Sequence, residues 1–196
     1  MRSQTQGRQG KRRYMLAVAA SVTLSLALLS ACGGGDGPAL SGPQASAGGV
    51  TLTLPAGWVS AETGESGLVV AERQGDLTAV VPQGPRLAVE PGNTDPPDPE
   101  ALVSAIAGAG GDAAAARLEV VEEPETVRVG PEEGVAIGLR EGEGESAVIK
   151  RYVIVSADGI TVYQFLLEAP EGEWDGSVDT LEAILASVEF EAAGQE

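Results

Sequence analysis

Hydrophobic and polar residues alternate along several short segments after residue 49, a pattern typical of strands that bury one face. Val50-Thr51-Leu52-Thr53-Leu54 alternates strictly and predicts a half-buried strand, and we expect Trp58 after it to close one end of the core. Six further short β-rich segments predict strands: Leu68–Glu72, Leu77–Val81, Arg86–Glu90, Leu118–Val121, Thr126–Val129 and Val135–Arg140. Arg73–Asp76 predicts a hairpin loop between the first two of these.

The longest β-rich region covers residues 147–169 and contains the dipeptide Asp158-Gly159. That dipeptide favours a two-residue type I′ turn, so the region predicts a long β-hairpin. Counting outward from the turn pairs Ile154 with Tyr163 and Tyr152 with Phe165. Because both faces carry apolar residues near the turn, we expect this hairpin in the centre of a sheet that is covered on both sides.

Two segments predict helices. Asp98 and Pro99 are typical of a helix start, and the apolar residues at 102, 103 and 106 give that helix a buried side before the glycines at 108–111 end it. After Trp174, apolar residues recur at helical spacing up to Val188, and Val188–Phe190 predicts a short edge strand. Together these elements predict an α+β domain over residues 50–191, an antiparallel β-sheet flanked by helices, followed by a disordered tail at 192–196.

The first 31 residues have the composition of an export signal. Met1–Arg13 is polar and basic, and Met15–Leu29 is largely apolar. At 1.5 Å per residue this apolar run gives roughly 22 Å of helix, which is short of a hydrocarbon core of about 30 Å. A basic start, a short apolar run and small residues at its end are typical of a cleaved signal peptide rather than a membrane anchor.

The segment Leu29-Ser30-Ala31-Cys32 resembles the bacterial lipobox. The resemblance implies cleavage between Ala31 and Cys32, a diacylglycerol on the Cys32 thiol and an acyl chain on its new amino group. Such a protein is anchored by lipid to a membrane of the bacterial cell envelope and faces away from the cytoplasm. The alternative, a free buried cysteine, is disfavoured because three glycines follow Cys32 and cannot continue a packed helix. Residues 32–49 are rich in glycine and predict a flexible tether.

Two alternatives about export and anchoring stay open at this stage. The paired arginines of "KRRYML", Lys11–Leu16, resemble a twin-arginine signal, although they also suit the basic start of an ordinary signal peptide. Both the plasma membrane and an outer membrane remain possible sites for the lipid anchor.

Charge and composition narrow the chemistry of the mature part. From Cys32 onward the chain has seven basic and 29 acidic residues, a net charge of −22. This charge argues against nucleic acid as a partner, because polyanion binding depends on basic side chains. The chain has no histidine and one cysteine, so it lacks the commonest general base and any thiolate cluster. We therefore expect no cofactor and no metal site.

Four segments in chain order resemble the PsbP-like group of proteins: "GVTLTLPAGW", "DPEALVSAI", "YQFLLEAP" and "LEAILASVEF". The resemblance covers about residues 50–190 and implies an α/β/α sandwich with an antiparallel sheet between helices. The group includes many small bacterial lipoproteins, and its known members bind partners or assist assembly rather than catalyse reactions. A non-catalytic, lipid-anchored accessory or binding domain, with an unknown envelope protein or ligand as partner, is the function that this resemblance implies.

Candidate chemistry elsewhere is sparse, and two rival functions rest on it. Carboxylates cluster at 122–125, 132–133 and 141–145, where neighbouring Gly and Pro predict solvated loops. A cell-envelope hydrolase using such carboxylates is one rival function, and a purely structural envelope lipoprotein is the other. Asn93, Asp95 and Asp98 depart from the spacing of a calcium loop. Lys150 and Arg151 are adjacent on a predicted strand and should face opposite sides, so they form no anion clamp.

Overall fold

A computed structural model describes residues 38–92, 101, 105, 118–157, 159 and 161–191. Within these residues the backbone forms ten strands, a 16-residue α-helix and two short 3₁₀ turns, and Ala101 and Ala105 are also helical. The strands are Gln44–Ala47 (β1), Val50–Thr53 (β2), Val59–Thr63 (β3), Gly67–Ala71 (β4), Arg86–Pro91 (β5), Leu118–Val129 (β6), Glu132–Glu141 (β7), Val148–Ala157 (β8), Thr161–Pro170 (β9) and Glu189–Phe190 (β10). The helix is Glu171–Ala186 (α1), and the 3₁₀ turns are Gln74–Leu77 and Gly144–Ser146.

The strands form two antiparallel sheets. Seven of them make the larger sheet in the order β3-β4-β5-β9-β8-β7-β6, and the other three make a small sheet in the order β1-β2-β10. Because β8 and β9 lie next to each other in the middle of the larger sheet, the long hairpin is central, as its pattern predicts. The α+β fold class is confirmed.

The main core lies between one face of the larger sheet, the small sheet and α1. Phe165 and Leu167 of β9 and Leu181 and Ile184 of α1 are fully buried there. The alternation predicted for β2 is confirmed, since Val50 and Leu52 are buried while Thr51 and Thr53 are partly exposed. Trp58 is also buried in this core, as its position predicts.

The opposite face of the larger sheet carries a second, smaller cluster. Its fully or almost fully buried members are Ile137, Leu139, Ile154 and Val162, on the three strands β7, β8 and β9. The central hairpin is therefore apolar and buried on both faces, which confirms the prediction from its sequence.

The register of that hairpin differs from the predicted one by a single residue. Val155 pairs with Tyr163 and Ile154 with Gln164, because three residues rather than two separate the strands. Gly159 is the middle residue of this loop and has a φ of +68°. A one-residue shift changes which side chains meet across the strands, so both predicted pairs were wrong.

The predicted strand Leu77–Val81 is wrong. Leu77 ends a 3₁₀ turn, and Val80 in the loop after it is 92% exposed. Side chains supply the hydrogen bonds that a neighbouring strand would otherwise provide. The Arg86 guanidinium donates to the carbonyl oxygens of Asp76 (3.1 Å) and Ala79 (2.5 Å), which holds the segment as a loop.

The folded domain begins earlier than its predicted start at residue 50. Gln44–Ala47 lies in the predicted tether, yet it pairs along its whole length with β2. Gly48 and Gly49 make the turn between the two strands, with φ values of +58° and +82° that glycine adopts readily. Glycine in this segment therefore forms a tight hairpin rather than a flexible linker. Strand β3 was also missed.

The predicted helices have different outcomes. For the helix near Asp98, the structure describes only Ala101 and Ala105, both helical. Asn93, Asp95 and Asp98, whose spacing departs from a calcium loop, lie outside the described residues. Helix α1 begins at Glu171, earlier than predicted, because Pro170 ends β9 and two glutamates suit the first turn. The predicted strands Leu118–Val121 and Thr126–Val129 are parts of one strand, β6. Within the described residues, no helix is long and apolar enough to cross a membrane.

Candidate binding groove

A groove of about 620 Å³ lies where α1 crosses the β6 side of the larger sheet. One wall is formed by residues of α1 and the other by strand β6, the edge of the sheet. Its lining residues, all from β6, β8 and α1, are Glu125, Val127, Arg128, Arg151, Asp179, Glu182, Ala183, Leu185 and Ala186. The groove combines an apolar floor with a charged rim.

Arg151 of β8 is the centre of the charged part. Its side chain is only 6% exposed, and three carboxylates converge on its guanidinium. Glu182 of α1 accepts a hydrogen bond from Nη1 (2.5 Å), Glu125 of β6 accepts one from Nη2, and a Glu122 oxygen lies 3.2 Å from Nε. Arg151 thereby ties the edge strand and the helix to the centre of the sheet.

Irregular pairing of β6 brings Glu122 and Glu125 to the same side. Residues three apart on a regular strand face opposite ways. Here Glu122 pairs with Gly138 and Glu125 with Ala136, so the two pairs are three residues apart on β6 but only two residues apart on β7. The extra residue is a β-bulge, and it turns both carboxylates toward Arg151.

Gly138 provides the space through which Glu122 reaches Arg151. Gly138 lies between them, paired with Glu122 on one side and Arg151 on the other. A Cβ at this position would lie 2.5 Å from a Glu122 carboxylate oxygen and 2.6 Å from its Cγ. The Glu122 side chain therefore crosses β7 directly over the glycine.

A second arginine fastens the beginning of α1 to the same strands. Arg140 of β7 binds Glu171 through two nitrogens, at 2.8 and 3.0 Å, and lies 3.7 Å from Glu119 of β6. The Trp174 indole also donates to Glu122 (3.3 Å). The pKa of Arg140 is raised above its ordinary value by the hydrogen bond and the charge of Glu171.

A separate polar cluster lies on the opposite face of the sheet. Glu168 of β9 is almost fully buried, with Arg86 and Lys150 on the two neighbouring strands. The Arg86 Nε atom is 2.5 Å from Glu168, and Lys150 is 3.6 Å from Glu168 and also bonded to Glu141. Burial lowers the pKa of Lys150, but the Glu141 hydrogen bond and the charges of Glu168 and Glu141 outweigh burial and raise it. For Tyr152, burial raises the pKa.

The structure changes the interpretation of the carboxylate clusters. Glu122, Glu123 and Glu125 lie in strand β6 rather than in a loop, and two of them bind Arg151. Lys150 and Arg151 lie on opposite faces of the sheet, as predicted. Lys150 contacts Glu168 on one face, and Arg151 contacts Glu182 on the other. The only signal in the sequence for the Arg151 cluster is a charged residue at an inward position of an apolar strand.

The structure does not describe the predicted signal-cleavage and lipid-attachment site. Ala31 and Cys32 lie outside the described residues. In the parts of the chain that the structure describes, no three His, Cys, Asp or Glu side chains are arranged to hold a metal ion.

Replacing Arg151 by methionine should lower the free energy of unfolding by about 1–3 kcal/mol, because three converging carboxylates then lose their shared cation. Arg128→Met is the matched control. Arg128 also lines the groove, but its guanidinium is exposed and donates only to the Gly130 carbonyl among the described residues. We expect that control to stay within about 0.5 kcal/mol of the unmodified chain. Urea denaturation of the three proteins measures both effects, and equal losses would contradict a bracing role for Arg151.

Comparison with known proteins identifies the fold. No family model matches the chain, and no curated protein matches it by sequence. The solved structure of cyanobacterial PsbP (CyanoP) from Synechocystis sp. PCC 6803 is similar over 83% of this chain and 98% of its own length, at 16% identity and a TM-score of 0.54. LpqN, involved in cell envelope biogenesis of Mycobacterium tuberculosis, is similar over 73% of this chain and 83% of its own, at 15% identity and a TM-score of 0.50.

A protein from Bacteroides thetaiotaomicron VPI-5482 also matches 76% of this chain, at 15% identity and a TM-score of 0.48, but the chain spans 47% of that protein's length. At 15–16% identity, the likeness to CyanoP and LpqN establishes a fold and no more. The chain has a PsbP-like α+β fold, as the four sequence segments predict.

Proposed function

We propose that this chain is a lipid-anchored, non-catalytic accessory domain of the bacterial cell envelope, which binds a partner in the groove between α1 and β6. The observation that carries the proposal is the groove itself, an open site of about 620 Å³ on the described surface. Its volume falls in the range of about 300–1,000 Å³ that is usual for ligand sites.

The position of the carboxylates supports binding over hydrolysis. Carboxylates that act in pairs need one partner whose apolar pocket raises its pKa. The groove carboxylates are partly exposed, and two of them are bonded to Arg151. Among the residues that the structure describes, the buried carboxylates are Asp76 and Glu168; neither lines the groove, and Glu168 is paired with Arg86.

A photo-crosslinking experiment tests the binding role against a purely structural one. Ala186 is exposed and lines the groove, so a photoreactive p-benzoylphenylalanine at this position should trap the partner in intact cells. The same residue at Glu62, exposed on β3 at the other edge of the sheet, is the control. We expect a discrete adduct from position 186 alone. Adducts of equal yield from both positions, or none from either, would contradict the proposal.

The envelope location rests on the segment Leu29–Cys32. Two or three acyl chains at Cys32 anchor a protein firmly, since each buried CH₂ contributes about 0.8 kcal/mol. LpqN, which has a similar fold, is involved in cell envelope biogenesis, and a role at the envelope suits the proposal for this chain as well.

Replacing Cys32 by serine should abolish acylation and leave the signal uncleaved, because the thiol is the nucleophile that accepts the lipid. Ser30→Ala is the matched control, since it keeps a small residue before the cleavage site. Mass spectrometry and membrane fractionation measure both. A Cys32→Ser protein with the mass and membrane association of the unmodified protein would refute the lipid anchor and leave the groove proposal standing.

A further inference from the structure

We infer that the groove binds a positively charged segment of a partner protein, in which lysine or arginine side chains lie beside apolar ones. The inference rests on the proposed function and specifies its partner. It is carried by two properties of the groove: a surplus of negative charge at the rim and an apolar floor next to it.

The negative surplus is local. The lining itself has three carboxylates, Glu125, Asp179 and Glu182, and two guanidinium groups, a net charge of −1. Glu122 is not a lining residue, but it shares the guanidinium of Arg151 with Glu125 and Glu182 and adds one more negative charge there. Arg128 and Asp179 contribute one charge of each sign to the lining. Like charges held close together repel one another, so a further cation placed between these carboxylates is favoured over an anion or a neutral group.

Asp179 is the rim carboxylate that is most available to a partner. It is exposed on α1, and among the described residues its carboxylate has no hydrogen bond or ion pair. It precedes Glu182 by three residues, so the two carboxylates lie on the same side of the helix. A cation of the partner therefore approaches the space between the two carboxylates from solvent, and its binding breaks no existing contact of the Asp179 carboxylate.

The apolar floor favours a cation that also has an apolar part. Val127, Ala183, Leu185 and Ala186 supply apolar surface directly beside the carboxylates. Lysine and arginine have apolar stems and charged ends, and they bind well where apolar surface adjoins a carboxylate. A small hydrated cation gains nothing from such a floor. The groove therefore suits a polypeptide segment better than a metal ion.

The irregularities of strand β6 indicate that it binds a partner segment through side chains rather than through backbone hydrogen bonds. β6 is an edge strand, and an extended peptide could in principle pair with it. Pro124 lacks an N–H group, and two register shifts interrupt the strand between Val120 and Glu125. Proline, charge and bulges all oppose pairing at a sheet edge. A partner segment is therefore held in the groove beside β6.

Binding of labelled peptides to the full chain in a non-ionic detergent tests the inference. The probe is a fluorescent decapeptide of alternating lysine and leucine, compared with a glutamate–leucine and a lysine–serine decapeptide, and with spermine as competitor. Fluorescence anisotropy should show the lysine–leucine peptide binding at least about tenfold more tightly than either other peptide, and more weakly at high salt.

Two groove variants and one control locate the site. Asp179→Asn and Glu182→Gln should each weaken binding about three- to tenfold, while Glu62→Gln on the far edge of the sheet should leave it unchanged. Asp179 has no partner in the described fold, so its variant changes charge without removing a brace. If neither groove variant differs from the control, the inference is overturned.

The outcomes separate this inference from the proposed function. Two results would contradict a basic, apolar partner segment but still support a binding groove. One is preferential binding of the glutamate–leucine peptide. The other is displacement of the probe by spermine together with equal binding of the lysine–serine peptide. A failure of every peptide to bind overturns the inference. If no adduct forms at position 186 as well, the proposed function fails with it.

Discussion

Replacing Glu168 by glutamine should lower the free energy of unfolding by about 3–5 kcal/mol, the usual effect of removing one member of a buried ion pair. The Glu168 side chain is 2% exposed and lies between Arg86 and Lys150. Glutamine has nearly the same shape but no charge, so the change isolates electrostatics from packing. Arg86 then loses its only carboxylate among the described residues, whereas Lys150 keeps Glu141.

Glu141→Gln is the matched control for this prediction. Glu141 binds the same lysine, but its side chain is 42% exposed, so we expect a loss below about 1 kcal/mol. Urea denaturation gives both values. The double variant Glu168→Leu with Arg86→Met removes the unpaired charge at position 86. Stability should therefore recover, but only in part, because the hydrogen bonds from Arg86 to the Asp76 and Ala79 carbonyl oxygens are lost as well. Equal effects of Glu168→Gln and Glu141→Gln would contradict the assignment of Glu168 as the central buried charge.

The second large effect is expected at Gly130, in the turn between β6 and β7. Gly130 has a φ of +55°, and its N–H donates to the Leu185 carbonyl at the end of α1 (2.9 Å). A Cβ at this position would lie 2.0 Å from the Val188 carbonyl oxygen, which belongs to the backbone and cannot move independently. Gly130→Ala should therefore destabilise the protein by about 2–5 kcal/mol, from left-handed strain of about 1–2 kcal/mol and a backbone clash.

Gly64→Ala separates these two causes. Gly64 has nearly the same φ, +60°, in the turn between β3 and β4, but a Cβ there would meet no heavy atom within 4 Å. Only the strain remains, so we expect a loss of about 1–2 kcal/mol. Thermal or urea unfolding of the two variants gives the difference. If Gly64→Ala is as damaging as Gly130→Ala, close packing of the β6–β7 turn against the end of α1 is not the cause.

The elements that the sequence predicted well are those whose signal is local. The alternation in β2, the β-rich runs of β8 and β9 and the helical spacing in α1 each arise within one element, because strand and helix periods are properties of a single segment. Where a side-chain contact from outside a segment competes with the local preference of that segment, the prediction failed. Leu77–Val81 has strand-forming residues, but the Arg86 side chain binds the carbonyl oxygens of Asp76 and Ala79 and keeps the segment out of the sheet.

Local sequence patterns could not predict the candidate groove. Glu122, Glu125, Arg151 and Glu182 are spread over 61 positions of sequence numbering, and no motif links them. Their convergence depends on a bulge in β6, on the absence of a side chain at Gly138 and on the crossing of α1 over the sheet. Each of these is a property of pairing between elements.

The sequence by itself determined the strand-rich α+β class, a central hairpin with two buried faces, an acidic charge and the expectation of a lipid-modified Cys32. Those features follow from local periodicity, total charge and short motifs, which need no knowledge of neighbours in space. Only the tertiary structure decided the register of the hairpin, the entry of Gln44–Ala47 into the fold and the gathering of three carboxylates around Arg151. The physical reason is that pairing and burial bring distant residues together, and a charge acts on whatever lies within a few ångströms rather than on its neighbours along the chain.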